Sequence, residues 1–336
     1  MMIQQKKING GYNIMDPVNK NATKEARTLL AYLYEIAGKA IITGQHTQTN
    51  PMEEISYLKK VTGKEPKLRG FELLGYSPNI NFDDASQACL TEVYENQGTA
   101  ETALQWAKEN DGIVTFTFHW FSPVGGRDKS FYAKHTDFNP DRILIPNTLE
   151  EKAFYRDMDV IAEILEMFAK EQIPILWRPF HEADGKWFWW GRNGHSTGRE
   201  LYKKMYDYYV NEKHLDHLIW VWNSPVKEGY PGDEYVDVIS RDVYIKKDEE
   251  SLEGQSRRSI ETDYKKEYEE LTQITDAPKV CALAEVDVIP DASMLAQSHI
   301  PWAYYMTWSK EFCLTQNYNT IEHTRKMYES DYSVSL

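Results

Sequence analysis

The chain has 336 residues, 41% of them hydrophobic, and a net charge of −14 from 38 basic and 52 acidic side chains. This length can hold two modest domains, but α/β barrels of this size fold as one. The acidic balance argues against nucleic acid as a partner, because like charge repels the phosphate backbone, and it is compatible with a neutral polysaccharide. Met1 to about Asn21 is rich in Asn, Lys, Gln and Gly and reads as a flexible arm, with the folded domain over 22–336. Apolar runs then alternate with amphipathic stretches. The expected strands are Ala40–Thr43, Lys67–Phe71, Ile113–Phe118, Ile173–Trp177, Leu218–Trp222, Val236–Ile239, Val280–Ala284 and Ala303–Thr307. Between them, Glu150 to Lys170 carries Phe154, Met158, Ile161, Leu165 and Phe168 at spacings of three and four, a helical period. Leu201–Val210 and Tyr264–Ile274 read in the same way, and the connection after Trp222 reads as a loop. Strands separated by helices pair in parallel through crossovers. Eight such units predict a single-domain (β/α)8 barrel. The competing open doubly wound sheet would show a glycine-rich turn after its first strand when it binds a nucleotide, and Gly44-Gln45-His46-Thr47 is not one.

The three cysteines, Cys89, Cys281 and Cys313, are widely spaced and odd in number, which argues against a disulfide framework and a structural zinc. The N-terminus lacks an apolar signal region and no run is long enough to span a membrane. As written the chain is expected to be cytoplasmic, and secreted if a signal has been removed.

In a barrel of this kind functional groups stand at the C-terminal ends of strands. Those ends read Gln45-His46, His119-Trp120, His181-Glu182, Trp222-Asn223, Arg241-Asp242-Val243-Tyr244, Glu285 and Trp308. Strands 4 and 7 thus deliver Glu182 and Glu285 across the mouth. Paired carboxylates can cleave a glycosidic bond, with retention when about 5–5.5 Å apart and with inversion when a wider gap admits water. Asp287, two residues beyond Glu285, competes with it, since alternate residues of an extended chain point the same way. Glu285 is preferred because it comes first after the apolar run. Trp187-Phe188-Trp189-Trp190 cannot all face a sugar, so at least two should pack inside. Trp220 and Trp222 read as core, His46 and His119 as either core or cleft, and Ser122 to Phe138 as a long loop that could wall the cleft. His181-Glu182 invites a zinc-protease reading, but HExxH would require a histidine where Gly185 stands, so neither a catalytic metal nor another cofactor is expected.

The segment Trp177 to Gly191 resembles the strand-4 signature of glycoside hydrolase family 26, retaining β-mannanases of the large (β/α)8 clan. Gly44-Gln45-His46, Phe118-His119-Trp120, Tyr230-Pro231-Gly232-Asp233 with Asp242-Val243-Tyr244, Ala284-Glu285-Val286, and Trp308 resemble further family positions in the same order. The resemblance implies Glu182 as acid/base, Glu285 as nucleophile and Tyr244 as the residue that orients it. It implies His181 beside the acid/base and Trp187 and Trp308 as sugar platforms; His119 joins the substrate-binding set. The expected substrate is β-1,4-mannan or manno-oligosaccharide. Alternatives are another family 26 β-glycanase, acting on mixed-linkage β-glucan or β-1,3-xylan, and a barrel that only binds glycans. Two departures bear on the sugar recognised: Ala183-Asp184-Gly185 stands where the family often has Met-Asn-Gly, and Asp287 where a small residue is usual.

Overall fold

A computed structural model describes residues 16–48, 50–245 and 261–336. The eight expected strands are present. β1 runs in two pieces, Ile41–Ile42 and Gly44–His46. Then come β2 (Leu68–Glu72), β3 (Ile113–Thr117), β4 (Ile175–Arg178), β5 (Leu218–Asn223), β6 (Val238–Val243), β7 (Val280–Val286) and β8 (Trp302–Thr307). Every neighbouring pair is parallel, and β8 pairs with both β7 and β1, which closes the barrel. Closure is tight at Gly44, where a Cβ would lie 2.2 Å from the Tyr305 carbonyl oxygen. Any side chain there would push β1 off β8.

The barrel has two apolar layers. Helix α1 (Lys24–Ile36), capped by the Thr23 hydroxyl, turns Ala26, Leu30, Leu33 and Ile36 inward. They join Ile42, Leu68, Ile113, Leu176, Ile219, Val238, Val280 and Ala303 in one cluster, so α1 plugs the lower mouth. A larger cluster fills the space between the strands and the outer helices, and the longest of these, α2 (Leu149–Lys170), contributes Phe154, Met158, Ile161, Leu165 and Phe168. Fully burying side chains of this size stabilises by about 1.5–3 kcal/mol each.

Of the arm expected over 1–21, residues 1–15 lie outside the described residues. The remainder is tied to the underside: the Val18 amide donates to Asp237 at 2.7 Å and Asn19 to Asp216 at 2.8 Å, just before β6 and β5. The other end of the chain meets the same face. A short strand, β9 (Ser333–Val334), adds in parallel to Ile41–Ile42, and Leu336 exchanges backbone hydrogen bonds with Glu65 ahead of β2. Among the described residues no helix is long and apolar enough to cross a membrane.

Candidate active site

The upper mouth gathers the polar strand ends. β4 finishes on Arg178, a fully buried guanidinium that a buried strand tolerates only when it is paired. It donates to Asp242 at 3.2 and 3.3 Å, to the Thr117 hydroxyl at 3.1 Å and to Glu285 Oε1 at 2.5 Å. The second oxygen of Glu285 accepts the Tyr244 hydroxyl at 2.6 Å. Both oxygens of Glu285 are therefore held by donors carried on strand ends, an arrangement that suits a carboxylate fixed in place.

Glu182 is held differently. After Pro179 the chain turns sharply, and Phe180 and Glu182 both adopt left-handed backbone, with φ of 53° and 52°. A non-glycine residue pays about 1–2 kcal/mol in that region, so something must retain it. Asn223 does this: its carbonyl oxygen and its side-chain oxygen both accept the Glu182 amide, at 3.1 and 2.9 Å. The Asn223 side-chain nitrogen donates to Asp242 at 2.9 Å, which links the turn to the Arg178 network. Strained backbone of this kind clusters at functional sites. Among the described residues, the Glu182 carboxylate receives one side-chain hydrogen bond, from Trp187 Nε1 at 2.7 Å.

One oxygen from each of Glu182, Asp242 and Glu285 lies within 4.8 Å of the other two. Three carboxylates so close could hold a cation, and the countercharge here is Arg178, paired with both Asp242 and Glu285. Burial raises the Glu182 carboxyl to about 7, and the neighbouring Glu285 charge pushes it the same way. Near neutrality Glu182 is therefore poised to give or take a proton.

Asp287 does not join this group. Its side chain accepts the Ile245 amide at 3.1 Å, one residue beyond Tyr244. Alternation alone would have placed Glu285 and Asp287 side by side, but β7 ends at Val286 and its register against β8 shifts between Leu283 and Val286.

The aromatics divide sharply. Phe188, Trp189 and Trp190 are buried, whereas Trp187 is 49% exposed beside Glu182. Gly185 makes room for it, since a Cβ there would meet the indole at 2.3 Å. Trp308 lies across the mouth, stacked on His46 with centroids 3.9 Å apart. Gln45 donates to the carbonyls of Thr307 and Trp308, both at 3.1 Å, and fixes that turn. His119, His46 and Trp308 line a pocket of about 620 Å³ with Glu72, Glu92 and Lys310. His119 contacts Glu72 through Nδ1 at 2.7 Å and His181 through Nε2 at 3.2 Å. Trp220 and Trp222 are buried against Tyr202. The Ser122–Phe138 loop reaches the mouth at Tyr132, which bridges to Phe188 and stacks on it.

The structure brings the seven expected site residues to the upper mouth in two linked groups, Glu182 with Trp187, Glu285 and Tyr244, and His119 with His181 and Trp308. Sequence reasoning assigned no role to Arg178, Asp242, Asn223 or Glu72. Arg178 carried a readable signal, a charge inside a buried strand next to the most specific motif.

Comparison with known proteins agrees with this geometry. The family model for glycosyl hydrolase family 26 matches residues 18–335. A mannan endo-1,4-β-mannosidase of Thermothelomyces thermophilus is 33% identical over 329 residues, 95% of this chain and 62% of that protein. Mannan endo-1,4-β-mannosidase B of Piromyces sp is 30% identical over 90% of this chain and 50% of its own length. The chain thus spans about half to three-fifths of these curated relatives. Among solved structures, a Podospora anserina β-(1,4)-mannanase superposes with a TM-score of 0.82 at 31% identity, over 96% of this chain and 68% of that one. A β-mannanase from a symbiotic protist of the termite Reticulitermes speratus, complexed with gluco-manno-oligosaccharide, gives 0.81 at 28% identity over 96% of both chains. With the family pattern matched along almost its whole length and the barrel shared, the chain belongs to glycosyl hydrolase family 26.

Proposed function

We propose that this chain is a retaining endo-β-1,4-mannanase. The observation that carries the proposal is the carboxylate pair: oxygens of Glu182 and Glu285 within 4.8 Å, one side chain held by an arginine and a tyrosine, the other raised to about 7 by burial. That spacing suits double displacement and leaves little room for the extra water of an inverting enzyme. Glu285 attacks the anomeric carbon as Glu182 gives its proton to the departing glycosidic oxygen. A glycosyl-enzyme forms on Glu285. Glu182, now ionised, takes a proton from water; the water oxygen bonds to the anomeric carbon and Glu285 leaves as a carboxylate. Arg178 and Tyr244 keep Glu285 aimed and hold charge on its oxygens without reorganising. Trp187 and Trp308 offer apolar faces to sugar rings on either side of the scissile bond, and His119 and His181 form the polar floor between them.

Mannan as substrate rests on the relatives, several of which are named mannan endo-1,4-β-mannosidases. The bound gluco-manno-oligosaccharide in the termite-symbiont enzyme extends the proposal to glucomannan. A reducing-sugar assay over mannan, glucomannan, mixed-linkage β-glucan and β-1,3-xylan tests the substrate. NMR of the first product formed tests the stereochemistry. Release of the β-anomer from mannan is expected; an α-anomer as first product, or a preference for xylan or β-glucan, would overturn the reading.

A further inference from the structure

Three ionisable side chains stand in a row along the cleft floor. Glu72, at the end of β2, is 2% exposed. Its Oε1 accepts the amides of Leu74 and His119 at 2.9 and 2.8 Å, and its Oε2 faces His119 Nδ1 at 2.7 Å. His119 Nε2 faces His181 Nε2 at 3.2 Å. His181 is buried, its backbone oxygen takes the Trp190 indole N–H at 2.9 Å, and its Nδ1 is buried without a hydrogen-bond partner among the described residues. Glu182 is the next residue.

Two facing ring nitrogens share one hydrogen, so one ring donates and the other accepts. A carboxylate at Nδ1 requires His119 to carry hydrogen there. If His119 is also protonated at Nε2, it donates to His181, whose own hydrogen must then sit on Nδ1. If His119 is neutral, its Nε2 is bare, and His181 must place its hydrogen on Nε2. The charge on the first ring therefore decides the tautomer of the second. We infer that Glu72 is a positioning residue that holds a proton on His119 and through it selects the nitrogen on which His181 carries hydrogen.

A buried Nδ1 with no acceptor among the described residues makes hydrogen there costly for His181, and the charges around the two rings work against that cost. Burial works against a charge on His119, yet the carboxylates of Glu72, Glu92 and Glu285, Glu72 foremost, together outweigh it and raise the ring's proton affinity. Burial holds His181 well below the ordinary histidine range, and the charges on His119 and Arg178 push it the same way, so His181 stays neutral. The groups acting on His119 are Glu72 from β2, Glu92 from the helix Gln87–Glu95, Glu285 from β7, His46 from β1, and His181 and Glu182 from the turn after β4; Lys310 and Glu311 line the same pocket. The positive ring of His119 in turn favours ionised Glu182. The link from relay to turnover rests on the proposed glycosidase reaction; the relay itself does not.

The test is NMR of the chain labelled with ¹⁵N-histidine, titrated from pH 5 to 9, with His119 and His181 assigned through His119→Asn and His181→Asn. In the unaltered protein the His119 midpoint should lie above that of a free imidazole. As it loses its proton, His181 should exchange Nδ1–H for Nε2–H at the same midpoint without itself becoming doubly protonated. Glu72→Gln keeps an oxygen for the two backbone amides but removes the charge. It should lower the His119 midpoint by about 1–3 pH units, the scale of losing an opposite charge at contact, and carry the His181 exchange with it. In the same variant the alkaline limb of mannan hydrolysis should move to higher pH, because a cation that favoured ionised Glu182 has gone. A His119 midpoint at or below that of a free imidazole, a His181 tautomer that ignores His119, or a midpoint unmoved in Glu72→Gln would overturn the relay. The NMR result decides the relay by itself, so failure to cleave mannan counts against the proposed reaction and not against the relay.

Discussion

Glu285 and Glu182 have oxygens within 4.8 Å of each other, yet their surroundings differ in almost every respect. Glu285 ends a strand, and both its oxygens are held by groups that β4 and β6 deliver. Glu182 lies on a left-handed turn, takes its side-chain hydrogen bond from the exposed indole of Trp187, and is raised to about 7. Under the proposed mechanism the difference teaches that an attacking group profits from rigidity and a proton carrier from adjustable surroundings. One must meet a carbon along a fixed line. The other must change charge twice in each cycle.

The largest test of this contrast is Glu285→Ala. Turnover should fall by about 10⁵–10⁶, the scale on which loss of a covalent nucleophile is felt in other hydrolases. Azide should restore turnover with an α-glycosyl azide as product, because it attacks in place of the missing carboxylate. A β-azide would mean that the two roles had been exchanged.

Glu182→Ala should reduce polymer hydrolysis by about 10²–10⁴. An aryl glycoside with a good leaving group should form its glycosyl-enzyme nearly as fast as before, since it needs little protonation. Equal loss on both substrates would remove Glu182 from the acid role. Tyr244→Phe deletes one donor to Glu285 and should lower kcat by about 10²–10³, the scale for one oriented donor in an active site, while melting temperature changes little.

Trp187 sharpens the comparison from the other side. Trp187→Ala should weaken substrate binding by about 1–3 kcal/mol through lost ring contact. Its exposure predicts little loss of stability, so a large drop in melting temperature with normal kinetics would dismiss the platform. The smallest effect is on pH. Glu182 must be protonated to act, so activity should decline through an alkaline limb near pH 7. The Trp187 N–H stabilises the ionised form, so Trp187→Phe should move that limb to higher pH. A limb that stays fixed would show that the hydrogen bond does not tune the acid.

The fold was legible because it is written locally. Alternating strand and helix periods marked all eight strands, with errors of one to four residues at their ends, as at β6, which starts at Val238 and runs to Val243. Glu182 and Glu285 stood out as candidates because a barrel puts function at strand ends, and the structure brings their oxygens within 4.8 Å. The network around them was not. Arg178 meets Asp242 and Glu285 at separations of 64 and 107 residues, and no periodicity reports who faces whom across a barrel. Asn223 was visible as the end of β5, but its task depends on a left-handed turn 41 residues earlier. Glu72 lay just past the expected strand Lys67–Phe71 and drew no reading, and only its contact with His119 marks it out.

The strap at Val18 and the strand at Ser333–Val334 both meet the barrel where its strands begin, whereas the cleft opens where they finish. Anything fastened to the chain at Asp16 or beyond Leu336 therefore pulls from behind. A support joined at Asp16 or at Leu336 would sit on the far side of the barrel from the cleft, which would face outward a full barrel's height away.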